Sequence, residues 1–162
     1  MIRRLEIQEL EITFSLILDV ISGMNAQGID QWDAVYPNEA KIRSDIENAE
    51  AFGYFEKENL IGYMVLNETF SPEYLTVNWR NKGRALIVHR LCVAKKFQGK
   101  GIAGSMMKYA EEFACSRSYE SIHLDAFVSN PAANALYQKS GYNMVGQVQF
   151  RKGFFYCYEK EL

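Results

Sequence analysis

The chain has 162 residues, 48% hydrophobic and 23% charged, with 18 Lys+Arg against 20 Asp+Glu and a formal net charge of −2. That length and balance describe one domain, over residues 1–162, with enough chain to bury a core, and they exclude a collagenous or low-complexity polypeptide. The slightly acidic balance gives no support for nonspecific nucleic-acid binding, no stretch has the length and apolarity of a membrane span or secretory leader, and Cys92, Cys115 and Cys157, odd in number and without a C-x-x-C pair, read as free thiols of a reducing, cytoplasmic compartment without a metal.

Ile2 to Ile7 reads as a short strand. Ile12, Leu16, Val20 and Met24, with Phe14, Ile17, Leu18 and Ile21 beside them, recur at helical steps and predict a helix that stops before Gly28. A polar and aromatic loop from Gly28 to Pro37 carries Trp32 and Tyr36, and Asn38 is suited to cap a second helix over Glu39 to Asn48. Ala51 to Glu56 and Leu60 to Leu66 flank Lys57-Glu58-Asn59 and predict a hairpin. Residues 67–83 are irregular, with Pro72, Trp79 and a basic cluster at Arg80, Lys82 and Arg84; a strand ending near Trp79 and returning antiparallel into Ala85 is expected. Ala85 to Val93, without Gly or Pro, reads as a mostly buried strand. Ile102, Met106, Tyr109, Ala110 and Phe113 then mark one face of a helix, and Ser121 to Val128 a further strand. Strand, helix, strand with a long crossover implies a parallel pair. Pro131 to Ser140 reads as a short helix capped by Asn130 and stopped by Gly141, followed by a hairpin of Tyr142 to Phe150 and Phe154 to Lys160.

The chemistry concentrates between the Ala85 strand and the Ile102 helix. The first N–H groups of a helix lack intrahelical partners and carry the positive end of the macrodipole, so a glycine-rich turn leading into a helix is suited to a phosphate group. Lys95, Lys96 and Lys100 add positive charge there. Gly99-Lys100-Gly101-Ile102-Ala103-Gly104 is also G-x-G-x-x-G, with Asp125 about twenty residues further on, as a dinucleotide site requires. Two features argue against that reading. Lys95-Lys96-Phe97-Gln98 separates the strand from the glycines, and the chain beyond Asp125 is too short for several more βα units. Lys100 is followed by Gly101, which removes a Walker loop as well.

Gln98-x-x-Gly101-x-Ala103 resembles the acetyl-CoA pyrophosphate loop of the GNAT superfamily of N-acetyltransferases, and Asn130-x-x-Ala133-x-x-Leu136-Tyr137-x-x-x-Gly141-Tyr142 is similar to that superfamily's downstream block. The resemblance covers Ala85 to Tyr142 by motif and the rest of the chain by layout. It implies a mixed α/β fold, with a mostly antiparallel central sheet of roughly six to seven strands, helices on both faces and a splayed parallel pair at the cofactor site. It also implies acetyl-CoA as co-substrate and direct transfer to a primary amine of a small molecule or a protein, with no metal, nucleic acid or membrane involved. Homodimers are common among similar proteins, and no residue pattern here specifies one.

The same resemblance assigns Leu91, Cys92 and Val93 to the pantetheine arm and thioester, and Gln98, Gly99, Lys100, Gly101, Ile102, Ala103, Gly104 and Ser105 to the pyrophosphate. Asn130 and Asn134 are candidates for the pantetheine amides, with helix capping as the other role of Asn130. Tyr137 stands where the superfamily's proton donor stands, against the plainer reading of a ring packed between helix and sheet. For the base, His89 suits by its ordinary pKa, although a histidine in an apolar strand is more often structural; Asp125, Glu73 and bulk water are alternatives. His123 and Asp125 are expected on opposite faces of their strand, and so to form no dyad. Trp32, Tyr36, Trp79 and Asp125 are acceptor-side candidates, with Trp32 equally readable as a core plug. A module that binds CoA without turnover is the alternative from another functional class.

Overall fold

The structure is a computed structural model describing residues 1–162. It contains strands β1 (Ile2–Arg4), β2 (Ala51–Glu56), β3 (Asn59–Asn67), β4 (Ala85–Val93), β5 (Ser121–Phe127), β6 (Asn143–Phe150) and β7 (Gly153–Glu161). The helices are α1 (Leu10–Ala26), α2 (Glu39–Glu47), α3 (Ile102–Ser116) and α4 (Pro131–Lys139). The strands form one mixed sheet in the order β1-β2-β3-β4-β5-β7-β6. Two compact units divide the chain, Met1–Leu66 with Arg90–Met106, and Asn67–His89 with Met107–Leu162, so β4 and α3 each contribute to both.

In the first unit β1, β2 and β3 pair antiparallel. β1 is shorter than expected because the chain bends at once into a 3₁₀ turn, Ile7–Glu9, where the Glu9 carboxylate accepts from the Arg3 guanidinium at 2.6 Å and from the Glu6 amide at 2.9 Å. The buried stripe of α1 is Leu10, Thr13, Leu16, Ile17, Val20 and Ile21. Ile12 and Leu18 point outward, each 47% exposed, contrary to the face expected from the sequence. Apolar residues surround most of this helix, so periodicity alone leaves its buried face ambiguous. Helix α1 ends where Gly28 takes a left-handed conformation (φ 75°) and the Ile29 amide reaches back to the Met24 carbonyl at 3.0 Å. Asn38 caps α2 by accepting from the Lys41 amide at 2.9 Å. Leu16, Ile17, Val20, Trp32, Ile42, Ile46, Tyr63 and Val65 belong to the core of this unit.

In the second unit β4 and β5 are parallel in register over Ala85–Ile87 and Ser121–His123. β5 pairs antiparallel with β7 over its whole length, and β7 with β6. Asn130 caps α4 by accepting from the Ala133 amide at 3.1 Å. The expected strand near Trp79 is absent; a 3₁₀ turn, Pro72–Thr76, stands in the segment instead. The backbone there finds side-chain partners rather than a ladder. The Glu159 carboxylate accepts from the amides of Arg80 and Asn81, both at 3.0 Å, and Tyr74 O accepts from Trp79 Nε1 at 3.0 Å.

Candidate active site

The phosphate loop expected from the sequence lies in the first unit. After β4 the chain makes a 3₁₀ turn, Lys95–Phe97, and then Gly99 and Gly101 both take left-handed conformations, φ 74° and 79°. A side chain is strained in that region, which explains why glycine occupies both positions. The Gln98 side-chain amide donates to the Val93 carbonyl at 2.9 Å and ties the loop to the strand. Ser105 N–H makes the first bond into the helix, to Gly101 O at 3.0 Å, so the amides of Ile102, Ala103 and Gly104 precede the helical ladder. A Cβ built on Gly99, Gly101 or Gly104 meets nothing within 4 Å. Unladdered amides, open space above three glycines and the exposed Lys95, Lys96 and Lys100 fit the pyrophosphate of acetyl-CoA.

Leu91, Cys92 and Val93 close β4, and burial pushes the Cys92 thiol up to about 12, which keeps it protonated and removes it as a nucleophile. The residue before them departs from strand geometry. Arg90 has φ 52°, a conformation that costs a non-glycine residue roughly 1–3 kcal/mol. Its guanidinium, 5% exposed, donates to Asp45 Oδ1 at 2.8 Å and to the Tyr36 hydroxyl at 2.6 Å. Asp45, fully buried, also takes Lys41 Nζ at 3.1 Å on the same oxygen and the Tyr63 hydroxyl at 2.8 Å on the other. Burial first, and then the Asp45 charge, push the Tyr63 phenol far above its ordinary range. Arg90 Nε is buried without a partner. Of the acceptor-side candidates in this unit, Tyr36 is 39% exposed, whereas Trp32 is 6% exposed and part of the core, which favours its plug role.

The second unit holds the remaining candidates. Tyr137 is buried among aromatic rings, 5.7 Å from Tyr158 and 6.1 Å from Tyr142 between centroids. These ring contacts hold the side chain in place. Burial, then the charge of Asp125, raise this phenol above its ordinary pKa and hold it protonated. The Asn134 amide is engaged within the chain, Nδ2 donating to Phe127 O at 3.0 Å and Asn130 O at 2.8 Å, with Oδ1 accepting from the Tyr158 hydroxyl at 2.8 Å. That clamp joins α4 to β5 and β7.

Asp125 Oδ2 accepts from the hydroxyl of buried Tyr74 at 2.6 Å. Cys157 is its cross-strand neighbour, and burial, followed by the Asp125 charge, pushes that thiol up to about 12. His123 and Asp125, being two residues apart, share a face of β5, which corrects the expectation of opposite faces. Each nevertheless has its own partner: His123 lies 3.0 Å from Glu159, its cross-strand neighbour, and stacks on Trp79 at 3.9 Å. Trp79 is therefore engaged on its ring face and through its N–H. His89 Nε2 lies 2.9 Å from both Asn67 Oδ1 and Thr69 O. Both partners are acceptors, so Nε2 carries the proton, and the ring holds the turn after β3 to β4. Glu73 sits exposed in the 3₁₀ turn.

Arg90, Asp45, Tyr63, Tyr74 and Glu159 escaped the sequence reading. Apart from Lys41, one turn before Asp45, the hydrogen-bond partners of these side chains lie 18 to 79 residues away, and no local pattern marks them except the presence of charged or phenolic residues inside apolar runs. No three His, Cys, Asp or Glu side chains converge to hold a metal ion, and no helix is long and apolar enough to cross a membrane.

Residues 20–142 match the family model described as the acetyltransferase (GNAT) family. The chain is 31% identical over 96 residues to GCN5-related N-acetyltransferase 6 of Arabidopsis thaliana, spanning only 33% of that protein. It is 23% identical over 159 residues to the N-acetyltransferase YesJ of Bacillus subtilis, covering 96% of this chain and 86% of the relative. Among solved structures, a GNAT-family acetyltransferase of Streptococcus agalactiae superposes with a TM-score of 0.88 at 24% identity over 100% of this chain and 95% of the other. PaiA N-acetyltransferase of Thermoplasma acidophilum, solved with coenzyme A, gives a TM-score of 0.78 at 18% identity over 100% and 98%. With the family model spanning most of its length, this chain belongs to the GNAT family of N-acetyltransferases.

Proposed function

We propose that the protein uses acetyl-CoA to acetylate a primary amine, on a small molecule or a peptide, by direct transfer. The observation that carries this reading is the loop of Gln98 to Ser105: left-handed glycines with open space above them, leading into unladdered helix amides, in a chain of this family. The amine nitrogen attacks the thioester carbon, a C–N bond forms as the C–S bond breaks, and the departing thiolate takes a proton. Tyr137 supplies that proton, a reading supported by its fixed ring and by the raised pKa that keeps the phenol protonated.

Leu91 to Val93 align the pantetheine arm by backbone hydrogen bonds, and Asn130 assists from the start of α4. Asp125, oriented by Tyr74, acts on the acceptor side and removes the amine's proton through water. His89 is a holding residue in this scheme because its Nε2 proton already serves two acceptors. The test is a free-thiol release assay with acetyl-CoA against a panel of amino acids, peptides, polyamines and arylamines. Thiol release with one amine class supports transfer; acetyl-CoA binding without release across the panel would favour a binding module instead.

A further inference from the structure

The Arg90 cluster has no part in the scheme above, yet it gathers more buried charge than any other place in the first unit. One carboxylate, Asp45 on α2, is held by a phenol from β3, by Lys41 one turn earlier on its own helix, and by Arg90 from β4. Three donors fix that carboxylate, and through it the guanidinium. The guanidinium then reaches a third element, the loop between α1 and α2, through the Tyr36 hydroxyl. Arg–carboxylate pairs are frequently bidentate, with two parallel bonds from one guanidinium edge. Here Arg90 bonds a single oxygen of Asp45, leaves Nε buried without a partner, and sits in a strained left-handed backbone one residue before Leu91. Backbone strain persists only where the surroundings over-determine it and clusters at active sites and ligand clamps, and a buried unpaired donor calls for an explanation of its own.

We propose that Arg90 is a positioning residue that couples the loop carrying Tyr36 to the strand segment Leu91–Val93. Its buried anchor on Asp45 sets the kink at residue 90, and its bond to Tyr36 docks the loop against that kink. The loop is prepared for such docking: Asp33 Oδ1 accepts from the amides of Val35 and Tyr36 at 2.9 and 3.2 Å, and the Asp33 amide donates to Tyr36 O at 3.0 Å. These bonds make residues 33–36 a closed turn presenting a single hydroxyl. The inference rests on the functional reading above, since Leu91–Val93 matter to catalysis only if they align the thioester.

The experiment compares the wild-type chain with Tyr36→Phe, Arg90→Gln and Arg90→Lys by hydrogen exchange resolved to segments 28–38 and 90–98, by acetyl-CoA titration and by acetylation kinetics. Tyr36→Phe removes only a hydroxyl from a part-exposed ring. It is expected to hold the melting temperature and the acetyl-CoA affinity, to increase exchange in both segments, and to raise the amine KM about fivefold or more. Arg90→Gln is expected to lower kcat about tenfold or more with acetyl-CoA affinity changed less than about threefold, and Arg90→Lys to recover part of the loss. If Arg90→Gln fails to fold, Tyr36→Phe carries the test. Exchange in both segments unchanged by Tyr36→Phe overturns the coupling, as does an Arg90→Gln protein with a lower melting temperature but wild-type kinetics while folded. Failure of the wild-type chain to bind acetyl-CoA overturns the functional reading, and this inference with it.

Discussion

A phenol delivers a proton in the right place only if its ring is fixed and its hydroxyl is not consumed elsewhere. Tyr137, the proposed donor, has its ring packed between Tyr142 and Tyr158, and burial keeps its phenol protonated. Tyr137→Phe is therefore expected to leave acetyl-CoA affinity intact and to lower kcat on the order of 10²-fold, measured by thiol release under saturating acetyl-CoA. Tyr63 shows the opposite arrangement: its hydroxyl is bound to the buried Asp45 and its ring is fully enclosed. Tyr63→Phe is expected to cost about 1–3 kcal/mol in urea unfolding, because a buried carboxylate loses one of its donors. The same contrast explains which candidate-site residues were legible. Tyr137 stands in a spaced motif readable without a structure. Arg90 carries no local mark: its left-handed backbone falls on a residue that is neither glycine nor asparagine, and its side-chain partners lie 45 and 54 residues away.

At the scale of elements, the strand, loop and helix from Ala85 to Ser116 were readable because each piece is locally determined: an apolar run, glycines where the backbone turns left-handed, and a helical stripe. The hairpin of β2 and β3 and the capped helix α4 were readable for the same reason. The segment around Trp79 was not, because side chains remote in sequence satisfy its backbone. Nor was the buried face of α1, which carries apolar residues on more than one side. Gly101→Val tests the loop directly. A β-branched side chain at φ 79° both strains the turn and fills the open space above it. Acetyl-CoA affinity is expected to fall at least about tenfold, or about 1.4 kcal/mol, by calorimetric titration. A melting curve of the unliganded variant separates loss of the site from loss of the fold.

At the scale of the whole molecule, the buried His123–Glu159 pair is one source of pH-dependent stability. Burial lowers the pKa of His123 below its ordinary value near 6.5, outweighing the opposite effect of Glu159, with Lys82 acting in the same direction as burial. Between the lowered and the ordinary value the unfolded chain binds more protons, so stability rises with pH across that interval and falls on acidification. Above the ordinary value this contribution no longer varies with pH. His123→Gln is expected to flatten the acid side of a plot of unfolding free energy against pH, most clearly below pH 6.5. An unchanged slope would mean that His123 does not govern acid sensitivity.

Family membership follows from residues 20–142, while acetyl transfer by this chain rests on a cradle that has to hold acetyl-CoA. Calorimetric titration of the purified protein with acetyl-CoA tests that claim most directly. Saturable binding at one site per chain, weakened by Gly101→Val and retained by Tyr137→Phe, is the expected result. Absence of binding by the wild-type chain, or affinity indifferent to Gly101→Val, would contradict the assignment of Gln98 to Ser105 as the seat of the pyrophosphate.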